Sequence, residues 1–393
     1  MKSLKEYIDE RNSQFNLTTD ERKTLLDLDS EYGRLYKEFW FKWDRTDCKN
    51  LKEEFDKFME HRNANQKYYP QLELVRDELD ENWIVNAIDL KRKFENFNCY
   101  LSKFYIENID YMLAQVNMTV HKDDPFILTK YNQMMTHEID DETLAYAWKL
   151  VNEHPYEDVR EEQPYKGADI VDMMKSHMDK RGYGFKVELN PNMVARQNVE
   201  PHNKTLHIKT DADFSDLDVE SLRIHEIDVH VARRYYGYKT GLNLFVDGLL
   251  YRNTLDEGLA IYQSLHHNKF GVKANLQFDI GIKVIIGRYI LENDFCEIFD
   301  MIIDKIRTDE NSDIIDFILF KNICRFKRVL CDCRKLGGDS HGETDYLVGY
   351  LKIRDFDDDM RDDIIKYNIG PGQISELNNI KRFLKLNKFK SLI

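Results

Sequence analysis

The sequence predicts a mostly helical α+β protein in which a small β-sheet lies beside one central helix. Only 17 Gly and 7 Pro occur among 393 residues, and 33% of the residues are charged, a composition that favours long helices over a turn-rich β architecture. Apolar residues recur at intervals of three and four along most of the chain, as helices require. Between about residues 184 and 208 the pattern changes to alternation, which is typical of strands.

The amino-terminal region, residues 1–165, is predicted to be helical. Its segments LLDLDSEYGRLYKEFWFKW, CKNLKEEFDKFMEHR and IDLKRKFENFNCYLSKFYIENIDYMLAQV place aliphatic and aromatic residues on one helical face. We interpret these aromatic residues as core. The remaining region, residues 166–393, is predicted to contain the sheet, the central helix and further helices, and the amino-terminal region forms one wall of a cleft beside it.

Short strands follow a helix near residues 170–180. GFKVELNPNMVARQNV reads as two strands joined at the NPN turn, and KTLHIK continues the β pattern. We expect Met193–Val199 to be an edge strand to which an extended peptide adds through main-chain hydrogen bonds. A hairpin that only supports the central helix is the alternative.

The central helix has sequence signals at both ends. Ser215 and Asp218 form a capping box, so the helix is predicted to begin near Asp216. It is predicted to run to about Tyr236, ahead of Gly237.

This helix carries an HExxxH pattern made by His225, Glu226 and His230, and Glu257 follows in the segment LDEGLA. Two imidazoles and one carboxylate are the three protein ligands of a catalytic zinc ion, which keeps a fourth position for water. Zinc lowers the pKa of that water from about 16 to roughly 7. Glu226 directly follows the first histidine, as the general base does in HExxH metallopeptidases.

The spacing of the two histidines demands a distorted helix. Residues five apart lie about 140° apart on a regular α-helix, so His225 and His230 meet only if a π-bulge is present. Asp228 is an alternative ligand, and two unrelated surface histidines are the alternative to a metal site. A second HEID tetrapeptide begins at His137 without a following histidine, and we interpret it as a solvated polar segment.

HEIDVH and LDEGLAIY together resemble the microtubule-associated tyrosine carboxypeptidase family, whose bacterial members are known by a QEGLA motif. NPNMVARQNVEPHNKTLHI and ETDYLVGYLKI resemble further segments of that family. The resemblance implies a zincin-like zinc carboxypeptidase, with His225, His230 and Glu257 as zinc ligands and Glu226 as catalytic base. The residue removed from the substrate would be tyrosine or another aromatic residue.

Four residues in three segments depart from the family pattern. Asp228 and Val229 replace a Gly-Thr pair, which puts an extra negative charge beside the metal; Asp256 precedes EGLA in place of Thr or Gln. Thr344 replaces the lysine expected before Asp345. The ligands are retained, so these changes concern the substrate. A zinc endopeptidase or deconjugating protease on the same scaffold, and a catalytically silent binding module, are the alternative functions.

A carboxypeptidase must hold the terminal carboxylate of its substrate, and arginine suits bidentate capture. The candidates are Arg196, Arg233, Arg234 and Arg252. Ordinary surface charge is their alternative role. Tyr251 and Tyr262 are candidate oxyanion donors, with core packing as the alternative.

The composition also restricts the partners. A net charge of −14 argues against nucleic-acid and anionic-membrane binding. The sequence shows no amino-terminal apolar segment and no apolar run near the ~20 residues of a membrane span. We therefore expect a cytoplasmic protein that acts on the carboxy terminus of a protein or peptide. The basic segment KRFLKLNKFK is predicted to be a docked terminal helix, with binding to an acidic partner as the alternative.

Overall fold

The computed structural model confirms a mostly helical α+β fold with small sheets. It describes residues 13–43, 47–75, 79, 81–121, 124–157, 162–191, 196–267, 275–308, 311–330, 332–339 and 341–389. The helices before residue 157 are α1 (Thr19–Trp43), α2 (Leu51–Asn63), α3 (Glu81–Asn96), α4 (Ser102–Val120), α5 (Pro125–Met135) and α6 (Asp141–Glu153). Two short antiparallel strands lie among them, β1 (Asp47–Cys48) and β2 (Leu74–Val75).

The amino-terminal aromatic residues form core, as predicted. Trp83 and Phe94 are buried, and the ring of Tyr105 stacks on Phe94 with a centroid distance of 4.2 Å. Phe383, close to the carboxy terminus, packs in the same core. The amino-terminal helices are therefore held against the last helices of the chain, while the division into regions 1–165 and 166–393 stays a prediction.

The main sheet is built around its third strand in sequence. Its strands are β4 (Lys186–Leu189), β5 (Gln197–Glu200) and β6 (Thr205–Ile208), which follow helix α7 (Gly167–Arg181). They lie in the order β4-β6-β5, with β4 parallel and β5 antiparallel to β6. A separate pair joins β3 (Tyr165–Lys166) and β7 (Asp213–Phe214).

The two strands on either side of the NPN turn are present, but the alternative that they form a hairpin is wrong, because β6 lies between β4 and β5. Leu206 and Ile208 on one face of β6 are fully buried, and Thr205 on the other face is 3% exposed, as expected for a strand in the central position. β5 is an edge strand of the described sheet, as expected. Residues 192–195, which include most of the predicted strand Met193–Val199, lie outside the described residues.

The central helix begins at the predicted residue and ends later than predicted. The Ser215 hydroxyl accepts a hydrogen bond from the Asp218 N–H at 3.1 Å, and the Asp218 carboxylate accepts from the Ser215 N–H at 3.1 Å. A Cβ on Gly237 would lie 2.3 Å from the carbonyl oxygen of Phe245, so this glycine permits close packing and does not stop the helix. The helix ends before Gly241, which has φ 81°. Its parts are α8 (Asp216–Ser221), a π-helix (Leu222–Val231) and α9 (Ala232–Thr240).

The remaining helices are α10 (Asn243–Asp247), α11 (Arg252–His267), α12 (Leu276–Tyr289), α13 (Phe295–Ile306), α14 (Ser312–Lys327), α15 (His341–Arg354), α16 (Asp358–Tyr367) and α17 (Leu377–Asn387). Short 3-10 turns lie at Arg328–Leu330 and Pro371–Glu376. The family-like segment YLVGYLKI lies in α15. None of the described helices is long and apolar enough to cross a membrane.

Two contacts fix the helices that matter for the site. α11 and α15 approach closely, because a Cβ on Gly349 would lie 1.7 Å from the carbonyl oxygen of Thr254. The carboxy-terminal α17 is docked on the protein, as predicted: Phe383 is buried, and the Asn387 side chain accepts a hydrogen bond from the Leu17 N–H at 3.0 Å.

Candidate active site

The π-helix brings His225 and His230 to the same side. A π-helix closes hydrogen bonds between residues five apart, so residues at that spacing lie one above the other. The two imidazole rings have a centroid distance of 4.8 Å. The distortion that the spacing demands is present, and it extends over the ten residues Leu222–Val231 where a single turn was expected.

Glu257, on α11, completes a cluster of three potential metal ligands. Its Oε2 lies 3.3 Å from His225 Nε2, and its Oε1 lies 3.7 Å from His230 Nε2. One ligand atom from each residue lies within 4.8 Å of the other two. Glu257 Oε2 is buried and has no hydrogen-bond partner among the described residues. Such a convergent, unsatisfied donor set fits a metal ion.

Asp256 orients the second imidazole. Its Oδ1 lies 3.0 Å from His230 Nδ1, while His230 Nε2 faces Glu257. A carboxylate on the outer nitrogen of a metal-binding histidine fixes the tautomer and the ring orientation. Burial acts to lower the pKa of His230, but Asp256 and Glu257 raise it to about 10, so this negative site favours a cation. Asp256, which departs from the family pattern, therefore orients His230 and adds negative charge beside the proposed ligands.

Glu226 and His225 both line a cleft with a volume of about 350 Å³. The sheet, the central helix, α11, α12 and α15 all contribute to its walls. The remaining lining residues are Arg196, Gln197, Phe214, Asp218, Ser221, Leu222, Ile261, Ser264, Leu276, Asp279, Ile280, Lys283 and Tyr346. The carboxylate expected to act as base thus opens onto the same space as one of the proposed ligands.

Tyr346 is a cleft residue that the sequence reasoning missed. The charge of Glu257 and then burial raise its pKa well above the usual range, so the hydroxyl keeps its proton at neutral pH and can donate a hydrogen bond. Tyr251 and Tyr262, the expected oxyanion donors, do not line this cleft. The Tyr251 hydroxyl donates to the carbonyl of Met134, and Tyr262 packs beneath the Arg361 guanidinium. The signal for Tyr346 was its position next to Asp345 in the family-like segment ETDYLVGYLKI.

Of the four predicted arginines, the structure brings Arg196 to the cleft. Its guanidinium lies over the Phe214 ring at 4.4 Å and donates to Asp218 at 2.8 Å. The structure does not bring the other three arginines to the cleft, because protein groups hold them in the interior. Their partners are Asn368 and Ile369 for Arg233, Val246 and Asp247 for Arg234, and Tyr36 and Asp256 for Arg252.

Lys283 on α12 supplies a second cation that the sequence reasoning did not single out. Its side chain is 12% exposed, and its Nζ lies 3.2 Å from Glu343 Oε2. The same Nζ lies 4.6 Å from the centre of the Tyr346 ring. The cleft therefore contains a lysine and an arginine although the chain as a whole is acidic.

Asp228 does not add its charge to the ligand cluster, contrary to expectation. Its carboxylate lies 2.9 Å from His177 Nε2 and 2.8 Å from Arg181 Nε, both on α7. Burial acts to raise the pKa of Asp228, but these two partners lower it, so the group is an ionised member of a neutralised pair. The substitution of a small residue by Asp228 thus attaches the π-helix to α7.

Comparison with known proteins gives one family. The sequence model described as "Microtubule-associated tyrosine carboxypeptidase" matches residues 57–313, which include the HExxxH and EGLA segments. A search of curated proteins finds no match.

Proposed function

The chain belongs to the microtubule-associated tyrosine carboxypeptidase family, and from this we propose that it is a zinc-dependent carboxypeptidase that removes one residue from the carboxy terminus of a protein or peptide. Family membership indicates a carboxypeptidase-type protease. The observation that supports the finer proposal is the convergence of His225, His230 and Glu257, one of which, His225, lines the same cleft as Glu226.

His225, His230 and Glu257 would hold the zinc ion. When bound, zinc supplies a Lewis acid and a water molecule whose pKa is near 7 in such sites, about nine units below that of bulk water. The unpaired, buried Oε2 of Glu257 and the two carboxylates around His230 support a cation at this position. Asp256 holds the imidazole of His230 in the orientation that leaves Nε2 facing Glu257.

The protein's own side chains then handle the protons and charges of hydrolysis. Glu226 accepts a proton from the attacking water as the new C–O bond forms. It returns that proton to the amine nitrogen as the C–N bond breaks, so the products are the shortened chain and a free amino acid. The Tyr346 hydroxyl donates a hydrogen bond to the oxyanion that develops on the scissile carbonyl.

The cleft also carries groups suited to a carboxy-terminal residue. Lys283 and Arg196 attract the terminal carboxylate, and their charge is local within a chain of net charge −14. Phe214, Ile261 and Ile280 give the cleft apolar surface, which suits tyrosine or another aromatic side chain. The substrate backbone adds to the edge strand β5, which borders the cleft through Gln197.

Glu226→Gln tests the proposal because glutamine keeps the shape of the side chain but cannot act as a base. With peptides as substrates, we expect turnover to fall by about 10²–10⁴-fold while the zinc content stays unchanged. Glu188→Gln, which alters an exposed carboxylate on β4, is the matched control and should remain active. Wild-type turnover in zinc-loaded Glu226→Gln protein would refute the role of Glu226 as base.

A further inference from the structure

A second cluster of imidazole and carboxylate groups lies among residues that do not line the cleft. His137, the first residue of the second HEID tetrapeptide, is 13% exposed and has its Nε2 2.7 Å from Asp345 Oδ1. The expectation of a solvated segment is therefore wrong for His137, although Glu138 and Asp140 are exposed. His341 Nδ1 lies 3.9 Å from Asp345 Oδ1. We propose that His137, His341 and Asp345 bind a second divalent metal ion, and that zinc fits this donor set.

The distances between the ligand atoms agree with this proposal. Zinc binds histidine nitrogen and carboxylate oxygen at about 2.0–2.2 Å, which places neighbouring ligand atoms roughly 3.4 Å apart in a tetrahedral site. The separations of 2.7 and 3.9 Å lie on either side of that value. The three ligand atoms all lie within 4.8 Å of one another, as they do in the cluster of His225, His230 and Glu257.

The charge state of the cluster also favours a cation. Asp345 is 1% exposed; burial acts to raise its pKa, but the two histidines lower it, so the carboxylate is ionised. Burial lowers the pKa of His341, which keeps its imidazole in the neutral form that binds metals. A buried carboxylate needs a compensating cation or strong hydrogen bonds. The Thr254 hydroxyl donates one such bond to Asp345 Oδ1 at 2.6 Å.

His341 is oriented for an additional ligand. Its Nδ1 is buried and has no hydrogen-bond partner among the described residues. Its ring stacks on Tyr251 with a centroid distance of 4.2 Å, and Tyr251 has a φ of 58°, which non-glycine residues adopt at a cost of about 1–2 kcal/mol. The fold therefore maintains a strained residue that fixes this imidazole.

A small cavity beside the cluster offers space for a fourth ligand. It has a volume of about 50 Å³, and His341, Asp345 and Tyr251 are among its lining residues. This volume accommodates a water molecule, which needs about 30 Å³ in the liquid. Arg252 also lines the cavity, but its guanidinium is directed to Asp256 at 3.4 Å and to the Tyr36 hydroxyl at 3.3 Å.

A metal ion here would stabilise the helices that position the catalytic cluster. His137 precedes α6, His341 and Asp345 belong to α15, and Thr254 belongs to α11. Thr254 lies three residues before Glu257 on the same helix, and its carbonyl oxygen is in close contact with Gly349 of α15. The second ion would thus join α15 to the segment before α6 and hold Asp345, which accepts the hydrogen bond from Thr254 of α11, without taking part in hydrolysis.

The test is the zinc content of the full chain after dialysis with zinc, measured by elemental mass spectrometry. We expect two equivalents for the wild type and one each for His225→Asn and His137→Asn. His154→Asn, at an exposed histidine outside both clusters, should keep two equivalents. The double variant His225→Asn/His137→Asn should bind none.

A stability measurement keeps the test decisive if His137→Asn folds poorly. Zinc should raise the unfolding temperature of His225→Asn, which retains only the second cluster, and cobalt(II) should give the visible absorption of a low-coordinate site in that variant. A folded wild type that binds one equivalent, lost entirely in His225→Asn, would overturn the second site and leave the catalytic one intact. Absence of zinc from the cleft with one equivalent retained in His225→Asn would instead contradict only the proposed catalytic site.

Discussion

The carboxylate of Asp256 is predicted to control zinc binding although it is not a ligand. Asp256→Asn retains the side-chain shape but removes the charge that lies 3.0 Å from His230 Nδ1. Asp256 is 4% exposed, so solvent does not replace the lost interaction. His230 then loses basicity and the support that fixes its orientation.

The expected magnitude follows from this geometry. Removing the carboxylate partner of a ligating histidine weakens metal binding about 10–100-fold, or about 1.4–2.8 kcal/mol. Asp256→Asn should lie at the lower end, because its amide oxygen still accepts from His230, and Asp256→Ala at the upper end. The change also leaves the fully buried Arg233 without its carboxylate at 3.3 Å. Breaking such a buried pair should lower the free energy of unfolding by about 3 kcal/mol.

The assay is a competition titration against a zinc chelator, combined with chemical denaturation of the zinc-free protein. Asp228→Asn is the matched control, since it removes a paired carboxylate from the π-helix that carries His230, and the partners of Asp228 are His177 and Arg181. It should leave zinc affinity in the cleft unchanged. An unaltered affinity in both Asp256 variants would refute the positioning role.

The other predictions concern packing, pH and substrate contacts. Gly349→Ala places a Cβ 1.7 Å from a carbonyl oxygen of α11, so chemical denaturation should show a free energy of unfolding lower by about 3 kcal/mol. Gly342→Ala is the control, because a Cβ there meets open space, and it should not show this loss. Burial and nearby cations lower the pKa of His202 to about 4. The free energy of unfolding should therefore fall by up to about 3 kcal/mol as the pH is lowered from about 6.5 towards 4. Denaturation curves measured across this pH range should show that His202→Gln removes this dependence. Tyr346→Phe should lower kcat about 100-fold with little change in KM, measured with peptide substrates. Lys283→Met should raise KM for peptides with a free terminal carboxylate.

Local sequence patterns predicted the features whose determinants lie close together in the chain. The capping box at Ser215 specifies the start of the central helix through contacts over three residues. The five-residue spacing of His225 and His230 implied a π-helical distortion, because no regular helix brings both imidazoles to one side. The same reasoning could not give the length of the π-helix, which depends on packing along the whole segment.

Features that depend on distant segments escaped sequence reasoning. β6 lies between β4 and β5, and this order depends on pairing with β4, a strand distant in sequence, which local alternation does not reveal. Asp228 was expected to place its charge beside the metal, because spacing alone does not reveal that His177 and Arg181 approach it from α7. Tyr346 and Lys283 reach the cleft from helices far along the chain; no motif marked Lys283, and the family-like segment that contains Tyr346 did not indicate its position in the cleft.

The most direct test of the central proposal is digestion of peptide pairs that share a sequence and differ in having a free or an amidated carboxy terminus. The peptides would carry each of the twenty terminal residues, and mass spectrometry would follow their products with zinc-loaded protein. We predict the loss of one terminal residue from free peptides, most rapidly for aromatic residues, and much slower loss from amidated ones. Internal cleavage, equal cleavage of both forms, or no cleavage of any peptide would contradict a zinc carboxypeptidase.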